Sequence, residues 1–185
     1  MGKINNLVAS LLFLGSVYAN QETSNPLDVE RASDARTINE LVIERNLGEK
    51  FVEEDELKKI TLVRFLYENK GYVITSVDIK EENEKNGNDF IDIKRYSIQN
   101  NIQRYIRIVD EKFSGKPKIG FEMFYIAKPD EKVLPEKESD RPIIERSRII
   151  QTRSYPGEND KQNEEIFQAE YDDLILEIID FYEEE

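Results

Sequence analysis

Two alternating stretches, residues 72–79 and 90–98, stand on either side of Asn86-Gly87, and this arrangement constrains the chain more than any other feature. In the first stretch Val73, Thr75, Val77 and Ile79 share one face and Tyr72, Ile74, Ser76 and Asp78 the other, the period of a strand. Asn-Gly after a polar run is a strong hairpin signal, because both residues accept positive φ. Phe90, Ile91 and Ile93 then resume a strand that Tyr96 and Ile98 extend. A hairpin needs a cover over its apolar side. The spacing of Leu57, Ile60, Val63 and Leu66 predicts a helix over residues 53–69 in that role. Four acids, Glu53 to Glu56, suit its first turn, and Gly71 marks its stop.

Gly71-Tyr72-Val73-Ile74-Thr75-Ser76-Val77, an acidic connection to Gly87 and a second strand together resemble the end of a POTRA module of two-partner secretion transporters. The resemblance covers residues 40–98, about a third of the chain, and lacks that family's proline-containing connection. It implies a strand–helix–helix–strand–strand order, with residues 40–45 as the first strand and 48–56 as the first helix. It also implies β-augmentation, in which a partner's extended segment pairs with a strand edge, in protein secretion or outer-membrane assembly. The edge from Tyr72 to Lys80 is the corresponding partner-binding candidate, with Tyr72, Ile74, Ser76 and Asp78 on one of its faces.

The chain opens like an export leader over residues 1–19: Lys3, an apolar run from Leu7 to Gly15, and small residues up to Ala19. The run is shorter than the ~20 residues a bilayer span takes. Export to the periplasm or outside the cell is therefore expected. Residues 20–36 read as a flexible lead-in, with a weak helical segment over 27–36 as the alternative.

Chemistry is narrowed by what is missing. The sequence contains no Cys and no His, which removes disulfides, thiol and imidazole nucleophile pairs and the usual zinc ligands. The net charge of −13 opposes nucleic-acid phosphates and anionic lipid. The expected partner is a protein in the envelope or extracellular space. No nucleic acid, membrane insertion, metal or cofactor is expected. Residues 83–92 offer several oxygens but not the ligand order of an EF-hand.

In the second half, residues 102–109 and 119–127 predict a further hairpin around the loop Phe113-Ser114-Gly115-Lys116-Pro117. Apolar residues on both faces of 119–127 mark a well-covered strand. Residues 128–142, with three prolines, predict an exposed loop, and residues 143–154 a strand bearing Arg146, Arg148 and Arg153. Arg146 and Arg148 are further partner-binding candidates; the alternative is a solvated face balancing acidic helices. Phe167, Tyr171, Leu174, Ile178 and Phe181 predict an amphipathic helix near 162–182, with a last turn weakened by acids that oppose its dipole.

The fold expectation is α+β: an antiparallel sheet of about five strands covered by two helices, one near 53–69 and one near 162–182. A helix–hairpin unit, 37–100, and the remainder, 101–185, form the same globular domain. The functional expectation is a non-enzymatic interaction module. The alternatives are a secreted hydrolase using an Asp/Glu pair and a small-ligand binder with a cavity lined by Phe121, Met123 and Tyr125.

Overall fold

The computed structural model describes residues 26–45, 48–80, 89–135, 144–157 and 160–184. The leader and the Asn86-Gly87 turn lie outside the described residues, as does residue 143. The described chain runs helix α1 (Pro26–Glu44), strands β1 (Glu49–Glu54), β2 (Lys58–Tyr67), β3 (Lys70–Ile79), β4 (Phe90–Gln99), β5 (Ile102–Glu111), β6 (Ile119–Ile126) and β7 (Ile149–Tyr155), then helix α2 (Asp160–Glu184). The seven strands form one open antiparallel meander in chain order. Every neighbour in the sheet is a neighbour in sequence, so no strand crosses over another, and the longest connection, residues 127–148, joins β6 to β7.

The class is the α+β sheet with two helices that the sequence predicts, and α2 falls where its apolar stripe places it. The first helix does not. Residues 58–67 are a strand with Thr61, Val63 and Phe65 buried on the helix-covered side, while Leu62 packs on the other. Apolar residues on both faces hid the alternation, and Leu57, Ile60, Val63 and Leu66 imitated a helical spacing. The turn to β3 is made by Glu68 and Asn69 at φ 47° and 62°. Asn100 and Asn101 repeat the device between β4 and β5, at φ 52° and 62°. Asn tolerates this left-handed region better than most residues.

The helical cover comes instead from residues 26–44, expected as a lead-in, with a helical segment over 27–36 as the alternative, and then a strand. Only Ala35, Ile38 and Val42 of α1 are buried, at helical steps of three and four. So small a stripe is weak evidence in sequence. The order implied by the POTRA resemblance, strand first and two helices next, is not the order of the described elements.

Both faces of the sheet carry a core. On one, α1 and α2 close over Val63, Phe65, Tyr72, Ile74, Ile91, Ile93, Ile106 and Ile108. Phe65 stacks on Phe181 with ring centroids 4.0 Å apart, and α2 continues to Glu184 with Phe181 and Tyr182 buried, its acids notwithstanding. The other face holds Val73, Tyr96, Tyr105, Met123 and Tyr125 beneath Val133, Leu134 and Ile144 of the connection between β6 and β7.

Candidate functional site

A chain of alternating charges ties α2 to the sheet. Glu177 of α2 accepts hydrogen bonds from Lys70 (2.5 Å), Tyr72 (2.6 Å) and Arg95 (2.7 Å). Arg95 also reaches Glu170 at 2.9 Å, Glu170 meets Arg104, and Arg104 donates to Glu122 at 2.7 Å. Arg153 of β7 closes the series on Glu122 at 3.0 Å. Burial alone pushes the Glu177 carboxyl up, but hydrogen bonds from Lys70, Tyr72 and Arg95 outweigh it and hold the group below its ordinary range.

Two buried acids of the sheet, Asp92 and Asp110, are equally occupied. Asp92 takes a bidentate pair from Arg107, with contacts of 2.8 to 3.0 Å, and has Lys94 at 3.9 Å. Asp110, fully buried, accepts from Ser114 N and Oγ, Gly115 N and the Tyr171 hydroxyl, all within 2.9 Å. Asp34 is a carboxyl held above its usual range, by burial first and then by Glu30 and Asp172. Its neighbour Asp172 is clamped by Arg31 at 2.6 Å and so is not free to act with it. No group of three or more potential metal ligands occurs among the described residues.

The sequence-predicted site residues do not form one surface. β3 is the third of seven strands and pairs with β2 and β4 on its two sides, so residues 72–80 are not an edge. Tyr72, Ile74 and Ser76 are buried under the helices; Tyr72 donates to Glu177 and Ser76 to Asn39 of α1. Asp78 alone of the four is exposed. Arg146, exposed, and Arg148 lie in a short 3-10 turn before β7. Arg148 donates to the Ile126 carbonyl at 2.8 Å, pairs with Glu131 and sits 5.5 Å from the Tyr125 ring centre. It closes the connection after β6. Arg153 points instead to the helix side. Phe121, Met123 and Tyr125 belong to the second core, where Tyr105 packs 6.0 Å from Phe121 between ring centres.

An edge does exist, at the ends of the meander. The β7 margin is blunted in two ways: its register slips between Phe124 and Tyr125 of β6, and Asn163 of α2 donates to the Ser154 carbonyl at 3.0 Å. Bulges and cover of this kind discourage further pairing. The β1 margin has neither. It pairs with β2 in unbroken register from Glu49 to Glu54, and its outer side meets no strand among the described residues. From Phe51 to Leu57 every residue is exposed, with Phe51 at 59% and Val52 at 54%. The Lys50 ammonium, which could have guarded the margin, caps α1 at the Ile43 and Arg45 carbonyls (2.5 and 3.0 Å). Beside Phe51 a groove of about 440 Å³ runs over Ile60, Leu62 and Thr75.

Sequence reasoning missed β1 because its acids read as a helical first turn. Gly48 was the available signal. Its φ is +73°, and a Cβ there would stand 2.4 Å from the Arg64 carbonyl oxygen, so the chain enters β1 through a glycine turn. Compared with known proteins, the chain matches no family model, no curated protein and no solved structure. No helix among the described residues is long and apolar enough to cross a membrane.

Proposed function

We propose that the protein is an exported, non-enzymatic interaction module that recruits an extended segment of a partner protein by strand addition at β1. The observation that carries the reading is the β1 margin, which meets no further strand among the described residues and lies beside exposed Phe51 and Val52. An open, regular edge is a template for another strand. The saturation of the buried acids supports the same reading: Asp92, Asp110 and Glu122 are each held by cations or backbone donors rather than turned toward a cleft. Export is carried by the leader pattern of residues 1–19.

Two measurements test it. Sequencing the amino terminus of the exported form is expected to give a start at Asn20; an uncleaved chain retained in the cytosol contradicts export. Proline at Phe51 or at Val52 removes one backbone N–H, and since amides alternate along an edge, one of the two faces outward. The variant that keeps the wild-type unfolding midpoint is expected to lose the partner captured by the wild type from envelope and secreted fractions. Undiminished capture by both variants excludes β1 as the docking edge.

A further inference from the structure

We infer that the β1 margin takes a basic, apolar strand of defined order, so that its occupant is a cationic segment of another protein and not a second copy of this chain. The inference rests on the strand-addition reading above and adds the chemistry of the partner.

The order follows from the two faces of β1. Phe51 opposes Leu62 and Lys50 opposes Val63, so Glu49, Phe51 and Glu53 lie on the face away from the helices, and Lys50, Val52 and Glu54 on the helix side. Directly opposed residues of antiparallel strands share a face and interact. An incoming antiparallel strand therefore meets, in its own direction, Glu54, Glu53, Val52, Phe51, Lys50 and Glu49. Opposite charge satisfies the first two and the last; apolar side chains satisfy Val52 and Phe51. The residue facing Lys50 is unconstrained, because that ammonium is spent on the end of α1. The preferred pattern is basic, basic, apolar, apolar, any, basic. The side chain opposite Phe51 shares the face that carries Leu62 and the groove.

The existing pairs do not close the site to cations. Glu54 meets Lys80 at 3.3 Å and Glu49 meets Arg64 at 3.2 Å, but both glutamates are more than half exposed, where such pairs hold weakly. A second copy fits badly in either symmetric register. Val52 against Val52 sets Phe51 against Glu53, and Phe51 against Phe51 sets Glu49 against Glu53. A net charge of −13 on each copy opposes the approach further.

The test uses labelled synthetic peptides, capped at both ends, with the core Lys-Arg-Val-Phe-Thr-Lys or its charge-reversed counterpart Glu-Glu-Val-Phe-Thr-Glu, titrated against the protein. The basic peptide is expected to bind and the reversed one not. In the Glu53→Lys/Glu54→Lys variant, checked for its unfolding midpoint, binding of the basic peptide is expected to weaken by about tenfold or more. Phe51→Thr, which leaves the backbone intact, is expected to weaken it too. If both peptides bind the wild type equally and the outward-facing proline abolishes both, strand addition stands and the partner chemistry is overturned. Binding that neither proline alters, or no binding of either peptide, overturns both. A dimer in sedimentation that the same proline dissolves makes a second copy the occupant and overturns the inference.

Discussion

Two tyrosines show how position decides the worth of a hydroxyl. Tyr72 and Tyr182 are both buried in the helix-side core, but Tyr72 donates to Glu177 at 2.6 Å whereas the Tyr182 hydroxyl has no hydrogen-bond partner among the described residues. Burial pushes Tyr182 up to about 12. Tyr72→Phe is expected to cost about 1–2 kcal/mol, since it leaves a charged acceptor short of a donor. Tyr182→Phe is expected to be neutral or to stabilise by up to about 1 kcal/mol, because it deletes an unsatisfied group. Urea unfolding of the two variants checks the contrast; equal losses refute it. Glu177 sits between Lys70 and Arg95 with a side chain 22% exposed. Glu177→Gln is expected to cost about 2 kcal/mol at neutral pH by leaving both cations underpaired. Because its carboxyl titrates lower when folded than when unfolded, its contribution is present above the ordinary glutamate range and is lost as pH falls through the lowered value. Wild-type stability is therefore expected to fall on acidification over that window, and the Gln variant to fall less steeply.

At the scale of elements, α2 is seated by shape as well as by charge. The Phe167 ring lies over Gly120 of β6, where a Cβ would stand 2.4 Å from its Cγ. Gly120→Ala is expected to lift the start of α2 and cost about 1–3 kcal/mol, measured by thermal or urea unfolding. A variant as stable as the wild type shows that the helix can shift without loss. The elements legible in the sequence were those with one dominant period. β3 and β4 feed both cores but flank the Asn-Gly turn signal, and the stripe of Phe167, Tyr171, Leu174, Ile178 and Phe181 is a single wide apolar face. β2 was misread because Leu62 serves one core and Val63 and Phe65 the other. α1 is legible only as the alternative helix over 27–36, because three residues, Ala35, Ile38 and Val42, are all that it fully buries. Pattern reports which face an element buries, not which strand ends the sheet. The candidate edge was therefore placed on β3, a strand whose Tyr72 and Ile74 looked like recognition residues and are core.

For the whole molecule, a sequential meander leaves two end strands, β1 and β7, and among the described residues β7 is the one that is bent and covered. β7 is covered by the Asn163 contact and bent by its register slip. β1 carries Glu49, Glu53 and Glu54, which repel other acidic chains of the same kind and admit a basic one. Screening follows from this. Binding of the basic peptide is expected to weaken strongly between low and high salt, because the contacts lie at an exposed rim. Salt-independent binding places the interaction in apolar burial instead. The same charge selects what pairs with it.

Amide hydrogen exchange with and without a saturating amount of the basic peptide tests the central claim most directly. The account expects new protection on the outward-facing amides of Phe51–Glu54, with β7 and the helices unchanged. Protection that falls on the helices or on β7 while β1 exchanges as before contradicts it.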